Sequence, residues 1–166
     1  MSLDDLYGEK SYIRGRITAC ELKIDELEKI NKRLEKEILK LEADVEILKQ
    51  KKAKIEAAIL FLGLSLHPMA EAKKSVENYY SDSSHTSDWK SKIDKVGEST
   101  HNYIKIFKKI KEDALNVKKK LEDEIRKKQE SIKENKKTIE RTQFEKEEFE
   151  EDLRRVQDDI DNYDDE

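Results

Sequence analysis

Apolar residues in the first half of the chain recur at alternating spacings of four and three, beginning at Ile13. One series comprises Ile13, Cys20, Leu27, Leu34, Leu41, Leu48, Ile55 and Leu62, and the other comprises Ile17, Ile24, Asn31, Ile38, Val45, Lys52 and Ile59. A heptad repeat sustained over this length predicts a long coiled-coil helix.

The second half shows a similar but more polar pattern. Its first stripe comprises Tyr103, Phe107, Ile110, Ala114, Val117 and Leu121. The later stripe comprises Ile125, Ile132, Ile139, Lys146, Leu153 and Ile160, with companions Lys128, Asn135, Thr142, Phe149, Val156 and Tyr163. Two successive steps of four, from Val117 to Leu121 to Ile125, predict a stutter in the repeat.

Between these halves lies "SDSSHTSD", residues 81–88, which is rich in turn-forming and helix-capping residues. Before it, Gly63 should weaken the first helix, and Pro68 fits the first turn of a short following helix. The pattern therefore predicts an all-α fold, a long antiparallel two-helix coiled-coil hairpin with a short extra helix near the tip. Ser87 or Asp88 would cap the return helix.

The expected organisation is a single elongated helical hairpin domain over residues 1–166. Arm one covers about 9–80, the fold point 81–88, and arm two about 89–162. Folding there brings Asn31 near Asn135, and a buried amide pair of this kind would penalise slipped registers.

Charged residues make up 45 % of the chain and hydrophobic residues 35 %, which disfavours a thick core. The net charge of −4 is distributed unevenly, with a basic excess over residues 105–128 and an acidic excess over 144–166. Around Lys118, Lys119 and Lys120 there are neither interleaved aromatic residues nor a nucleic-acid motif, so no nucleic-acid partner is expected.

Residues for catalysis or metal binding are sparse. His67, His85 and His101 lack metal-ligand spacing, and Cys20 has no second cysteine with which to form a disulfide. The four glycines stand singly, so there is no phosphate-binding loop. The sequence predicts a protein without enzymatic activity, cofactor or metal.

The N-terminal "MSLDDLYGEK" lacks the features of a secretory signal peptide, and the longest apolar run, residues 57–66, is half the length of a membrane span. We therefore expect a cytoplasmic protein without membrane insertion, or one secreted by a route independent of a signal peptide.

Trp89 is the only tryptophan and follows the polar segment directly. A large aromatic residue in this place could plug the end of the hairpin by packing on Val76, Tyr79 and Tyr80. If exposed, it would be a natural anchor for a partner. The sequence leaves both interpretations open.

The helix, polar turn with Trp89-Lys90-Ser91, and returning helix resemble the WXG class of small helical hairpins of type VII secretion. The length and the leading "SYIRGRITACELKIDELEKI" resemble more closely the small helical partners encoded beside LXG polymorphic toxins, although Ser91 stands where the family has glycine.

This resemblance implies a non-enzymatic adaptor that binds the helical N-terminal region of a secreted toxin, or another small helical protein. The candidate partner-binding or tip residues are Trp89, Lys90, Ser91, Tyr79, Tyr80 and Ile93. The resemblance also implies an export signal in which an aromatic residue precedes an acid by four positions, and Phe144 with Glu148 has that spacing.

A second hypothesis comes from the heptads themselves. Leucine at one seam position with β-branched residues and one Asn at the other also suits a parallel two-stranded coil. The alternative function is thus a self-associating structural or scaffold protein, and a homodimer is compatible with the sequence.

Overall fold

The computed structural model describes residues 2–79 and 84–164, and these form two helices. The first, α1, spans Leu3–Tyr79, and the second, α2, spans Ser84–Asp164. They pack against each other as an all-α helical hairpin, which confirms the predicted fold class. Contacts divide the chain into two compact units, which we call unit 1 (Met1–Lys40 with Glu124–Glu166) and unit 2 (Leu41–Asp123).

The bounds of the arms differ from those expected. Helix α1 begins at Leu3 instead of near residue 9, because Ser2 caps it: the backbone N–H of Asp5 donates to Ser2 Oγ at 3.2 Å. The Asp5 carboxylate in turn accepts from the Ser2 backbone N–H at 2.9 Å. These reciprocal bonds form a capping box, which satisfies free donors of the first turn.

The predicted fold point at 81–88 is too long at its C-terminal end, because α2 already begins at Ser84. Residues 80–83 lie outside the described residues. The return helix therefore includes Ser87 and Asp88, the predicted caps, within its first turns. A polar segment rich in cap-forming residues is typical of a loop, but serine and aspartate are also acceptable in a first helical turn.

The short extra helix near the tip is absent from the described residues, since α1 continues through both Gly63 and Pro68. Proline removes one helix hydrogen bond and costs about 3 kcal/mol in a helix interior. On both sides of it, however, half-buried positions continue at heptad spacing. They are Leu62, Leu66, Met69, Lys73 and Val76. Packing against α2 maintains the helix where local preference would end it.

In unit 1 the helices run antiparallel, as the long-range side-chain bonds show. These bonds join Lys10 to Gln157, Glu21 to Lys146, Asn31 to Asn135, and Glu37 to Lys128, and the two residue numbers sum to 165–167 in each case. The buried core at the terminal end contains Leu6, Ile13, Val156 and Ile160. It is one side chain thick, which agrees with the low hydrophobic content.

Unit 2 has the same antiparallel arrangement. Its long-range ion pairs are Glu56–Lys111 at 2.6 Å, Lys73–Asp94 at 2.6 Å and Glu77–Lys90 at 3.4 Å, and each sums to 167. The sum does not drift along this series, so the register is constant through unit 2.

The seam predicted for α1 is confirmed, since every predicted position is buried or half-buried. The seam predicted for the first part of α2 is wrong at Tyr103, Ile110 and Val117, which are exposed. The half-buried or buried positions instead continue at strict spacings of four and three. They are Ile93, Gly97, Thr100, Ile104, Phe107, Lys111, Ala114, Lys118, Leu121 and Ile125. The heptads therefore run on without the expected stutter.

The reason is that α2 carries two neighbouring apolar stripes. Lys111 and Lys118 occupy inner positions, where their stems can pack while their ammonium groups reach Glu56 and Glu122. A seam predicted from apolar residues alone includes Ile110 and Val117 and leaves these lysines out. The apolar pattern alone therefore selects the outer stripe of the helix.

Candidate partner-binding site

The tip residues singled out from the sequence divide into exposed and paired groups. Trp89 is 58 % exposed, and the ammonium of Lys92 lies 5.6 Å from its ring centroid, a cation–π distance. Ser91 is exposed as well. The exposure of Trp89 argues against its role as a buried plug and leaves the indole available to a partner.

Lys90 and Ile93 face the inside of the hairpin. Lys90 is half-buried and pairs with Glu77. Ile93 is half-buried beside an open cleft. The cleft is lined by Leu66, Met69, Ala70, Lys73, Ile93, Asp94, Gly97, Glu98 and His101. Both residues therefore hold the two helices together near the tip and are poorly placed to contact a partner directly.

Of the other tip candidates, Tyr80 and the side chain of Tyr79 lie outside the described residues. The packing of Trp89 on these two tyrosines stays a prediction.

The export-signal candidates lie one helical turn apart on α2. Phe144 is 62 % exposed and Glu148 is exposed. Residues four apart share one face of a helix, so the ring and the carboxylate are accessible from the same side. Their role in export stays a prediction.

Asn31 and Asn135 are in contact, as the sequence predicts. The Nδ2 amide of Asn135 donates to Oδ1 of Asn31 at 2.9 Å, and Asn31 is only 7 % exposed. An amide inside an apolar seam needs such a partner, because a buried polar group without one costs about 1–3 kcal/mol. The function of this pair in fixing the register is still a hypothesis.

Ion pairs surround these seams. The ammonium of Lys128 lies 2.7 Å from the Glu37 carboxylate, and its hydrogen bond is the main cause that lowers the pKa of Glu37, followed by that of Arg33. The same bond raises the pKa of Lys128. Similarly, Lys111 lowers the pKa of Glu56. Each shift reflects stabilisation of the charged side chain by its hydrogen-bonded partner.

Sequence reasoning missed a further surface in unit 2. Several large apolar side chains there are exposed, and five of particular interest are 43–73 % exposed. They are Phe61 and Leu64 on α1, and Tyr103, Ile106 and Ile110 on α2. We call these five residues the outer apolar face. A helical face of this kind is unusual in a charge-rich chain, and contiguous exposed apolar patches commonly mark interaction sites.

Four of these residues lie on the same side of unit 2. They stand one position before an inner seam residue, as Phe61 precedes Leu62 and Ile106 precedes Phe107, whereas Leu64 lies two positions before Leu66 and points more directly outward. Equal offsets from the seam of two antiparallel helices point to the same side of the pair. The sequence does contain a signal for this surface. It is a second apolar stripe, displaced by one residue from the inner seam.

The residues on the two helices also lie at matching heights along the hairpin. The pairs Phe61 with Ile106 and Leu64 with Tyr103 both sum to 167, the value that the ion pairs of unit 2 also give. The apolar stripes on α1 and α2 are therefore side by side and form one surface.

Among residues 2–79 and 84–164, no group of three or more His, Cys, Asp or Glu side chains could hold a metal ion. Within α1, an 18-residue window reaches a mean hydropathy of 1.3, with none of its residues buried. By length and composition alone this window is apolar enough to cross a membrane, and the absence of membrane insertion stays a prediction.

Comparison with known proteins gives no relative: no family model, curated protein or solved structure matches the chain.

Proposed function

We propose that this protein is a non-enzymatic helical adaptor, which binds the helical N-terminal region of a type VII secreted toxin. The observation that supports the proposal is the exposure of Trp89 at the start of α2. Tryptophan is enriched among the residues that anchor protein–protein interfaces.

The packing of the hairpin also supports this function. The heptad seams of α1 and α2 are occupied by each other within each unit. A partner helix would therefore bind to outward side chains and leave the inner seam intact. The tip offers Trp89 with Lys92 beside it, an apolar ring and a positive charge in one place.

The experiment is co-expression of the chain with the helical N-terminal regions of LXG toxins encoded beside its gene. Size-exclusion chromatography with light scattering should detect a defined heteromer. Trp89→Ala should weaken that complex by roughly 10- to 100-fold, the range of an interface anchor, and leave the melting temperature unchanged.

Tyr12→Ala is the matched control, because Tyr12 is an exposed aromatic residue in unit 1. It should leave the complex intact. A chain that forms no heteromer with any such region, or an LXG gene absent from its neighbourhood, would contradict the proposal.

The outer apolar face favours a second function, that of a self-associating helical scaffold. This differs from the parallel coil expected from α1 alone, because the α1 seam is covered by α2 in each unit.

A further inference from the structure

We propose that one side of unit 2 binds an acidic amphipathic helix of a partner protein, which packs along the hairpin as a third helix. The inference rests on the proposed function, because Trp89 lies at one end of this surface. It adds the place where the partner lies and the chemistry that the partner needs.

Helix α2 carries an exposed apolar residue at every seventh position on this side. Each stands one position before an inner seam residue, as Trp89 precedes Lys90. The five residues, which we call the outer stripe, are Trp89, Val96, Tyr103, Ile110 and Val117. Tyr103 and Ile110 also belong to the outer apolar face, and Ile106 lies beside them. A third apolar position next to the two of the seam is typical of helices that pack on two neighbours in a bundle.

Helix α1 leaves room for a third helix beside the outer stripe. Its residues at equivalent positions, one before a seam residue, are Ala58, Ser65 and Ala72. Ala58 lies level with Ile110, because their numbers sum to 168, within one residue of the 167 that the ion pairs of unit 2 give. Ser65 with Tyr103 and Ala72 with Val96 give the same sum. Small side chains on α1 therefore let a partner helix come close to it while the partner packs on the stripe.

The charges of unit 2 are sorted between its two sides. The acids of its interhelical ion pairs each follow a seam residue and so lie opposite the outer stripe. They are Glu56, Glu77 and Asp94. On the side of the stripe, the positions that precede a seam residue within 47–75 and 89–117 include three exposed lysines, Lys51, Lys54 and Lys92, and one acid, Asp113. A partner that complements this side is acidic at the edges of its apolar face.

The repeat of the outer stripe favours a helix over a flat surface. From Trp89 to Val117 the stripe is about 42 Å long at 1.5 Å per residue. A two-stranded coil turns once in about 150 Å, so the stripe winds through roughly a quarter of a turn around the hairpin. A flat membrane contacts only part of such a stripe, whereas a partner helix with a heptad repeat winds along all of it. A second copy fits less well, because its stripe would bring lysines against lysines.

The test uses two synthetic peptides of about four heptads, with leucine at both seam positions and no tryptophan. One carries glutamate at the flanking positions and the other carries lysine. Because Trp89 is the only tryptophan of the chain, its fluorescence reports binding directly. The acidic peptide should shift the emission of this 58 % exposed indole to shorter wavelength, with weaker binding at high salt, and the basic peptide should not.

A first pair of variants tests the apolar contact. Tyr103→Asp/Ile106→Asp should weaken binding of the acidic peptide by roughly 100-fold, because it places charges in the middle of the apolar surface. Leu60→Asp is the matched control, since exposed Leu60 follows the seam residue Ile59 and lies on the opposite side of unit 2. It should leave binding intact. Circular dichroism checks that each variant keeps its helices.

A second pair tests the charge. Lys51→Glu/Lys54→Glu should weaken binding of the acidic peptide by roughly 10-fold, since exposed charge pairs are individually weak. Lys74→Glu/Lys105→Glu changes the net charge equally on the opposite side, because both lysines follow a seam residue. This control should bind the peptide as the unmodified chain does.

The proposal would be overturned by equal shifts with the two peptides, by no shift with either, or by equal loss of binding in the Tyr103→Asp/Ile106→Asp and Leu60→Asp variants. A shift with phosphatidylglycerol vesicles and none with the acidic peptide would assign the surface to a membrane instead. A dimer of the chain that Tyr103→Asp/Ile106→Asp converts to monomer would assign it to a second copy. If the acidic peptide binds as described but no toxin region forms a heteromer, the adaptor function alone is contradicted.

Discussion

The buried amide pair of Asn31 and Asn135 allows a sharp test of how the hairpin fixes its register. Replacing Asn31 alone with leucine buries an apolar side chain, worth about 1.5–3 kcal/mol, at a site that is 7 % exposed. It also leaves the Asn135 amide without its 2.9 Å partner, which costs about 1–3 kcal/mol. The single variant should therefore change the free energy of unfolding little.

The double variant Asn31→Leu/Asn135→Leu removes both amides and leaves no unpaired group. We expect it to stabilise the chain by about 2–4 kcal/mol, since polar seam residues are maintained at a cost in stability. The two substitutions should be strongly non-additive, as expected for residues in contact. Urea unfolding followed by circular dichroism measures both the single and the double changes.

The register is measured separately, by the distance between spin labels at Lys32 and Lys136 in a Cys20→Ala background. Both lysines line the same shallow surface beside Asn31, so one register gives one short distance. The double variant should add a second population, because a slip by one heptad moves a label by about 10 Å. Unchanged stability in all variants, with a single distance throughout, would refute the role of the pair.

Two positions inside α1 and one ion pair between the helices give three more tests. Pro68→Ala should stabilise α1 by up to about 3 kcal/mol in urea unfolding, because it restores a hydrogen bond inside a continuous helix; a destabilised variant would show a real break there. Gly63→Ala should stabilise by about 1 kcal/mol in thermal melts, since a Cβ would meet nothing within 4 Å. Because the pKa of Glu37 is lowered in the folded chain, its pair with Lys128 stabilises the fold above the ordinary pKa of about 4.5, and this contribution is lost as the pH falls through the lower folded pKa. Glu37→Gln should flatten this acid limb of a stability–pH curve; Glu35→Gln is the exposed control.

The hairpin could be predicted because burial in α1 depends on apolar residues at regular heptad spacing, and all of its predicted seam is inside. The prediction failed on α2 between Tyr103 and Val117 because inner lysines there are satisfied by ion pairs, such as the one that Glu56 of the other helix supplies. The periodicity of α2 alone is compatible with two apolar stripes, and either could form the seam. Which of them is covered depends on the other helix.

Signals for the ends and breaks of helices are also overridden or missed when only the apolar pattern is considered. The capping box at Ser2 and Asp5 is visible in the sequence but lies outside the apolar pattern, whereas Pro68 is a weaker signal than the packing around it. For the candidate site, the pairing of Asn31 with Asn135 followed from the register, but the exposure of Trp89 did not. An aromatic residue beside a turn packs or projects according to tertiary contacts that composition does not contain.

The central claim is that the two helices of one chain fill each other's seams, so that partners bind to outward surfaces. Its most direct test is Asn31→Cys/Asn135→Cys in a Cys20→Ala background, treated with a short bifunctional thiol crosslinker at low protein concentration. We predict an intrachain link in a product that stays at 19.6 kDa on a denaturing gel, because these two side chains are in contact within unit 1. A product of twice that mass, with no intrachain link, would show that the seams pair between chains and would contradict the claim.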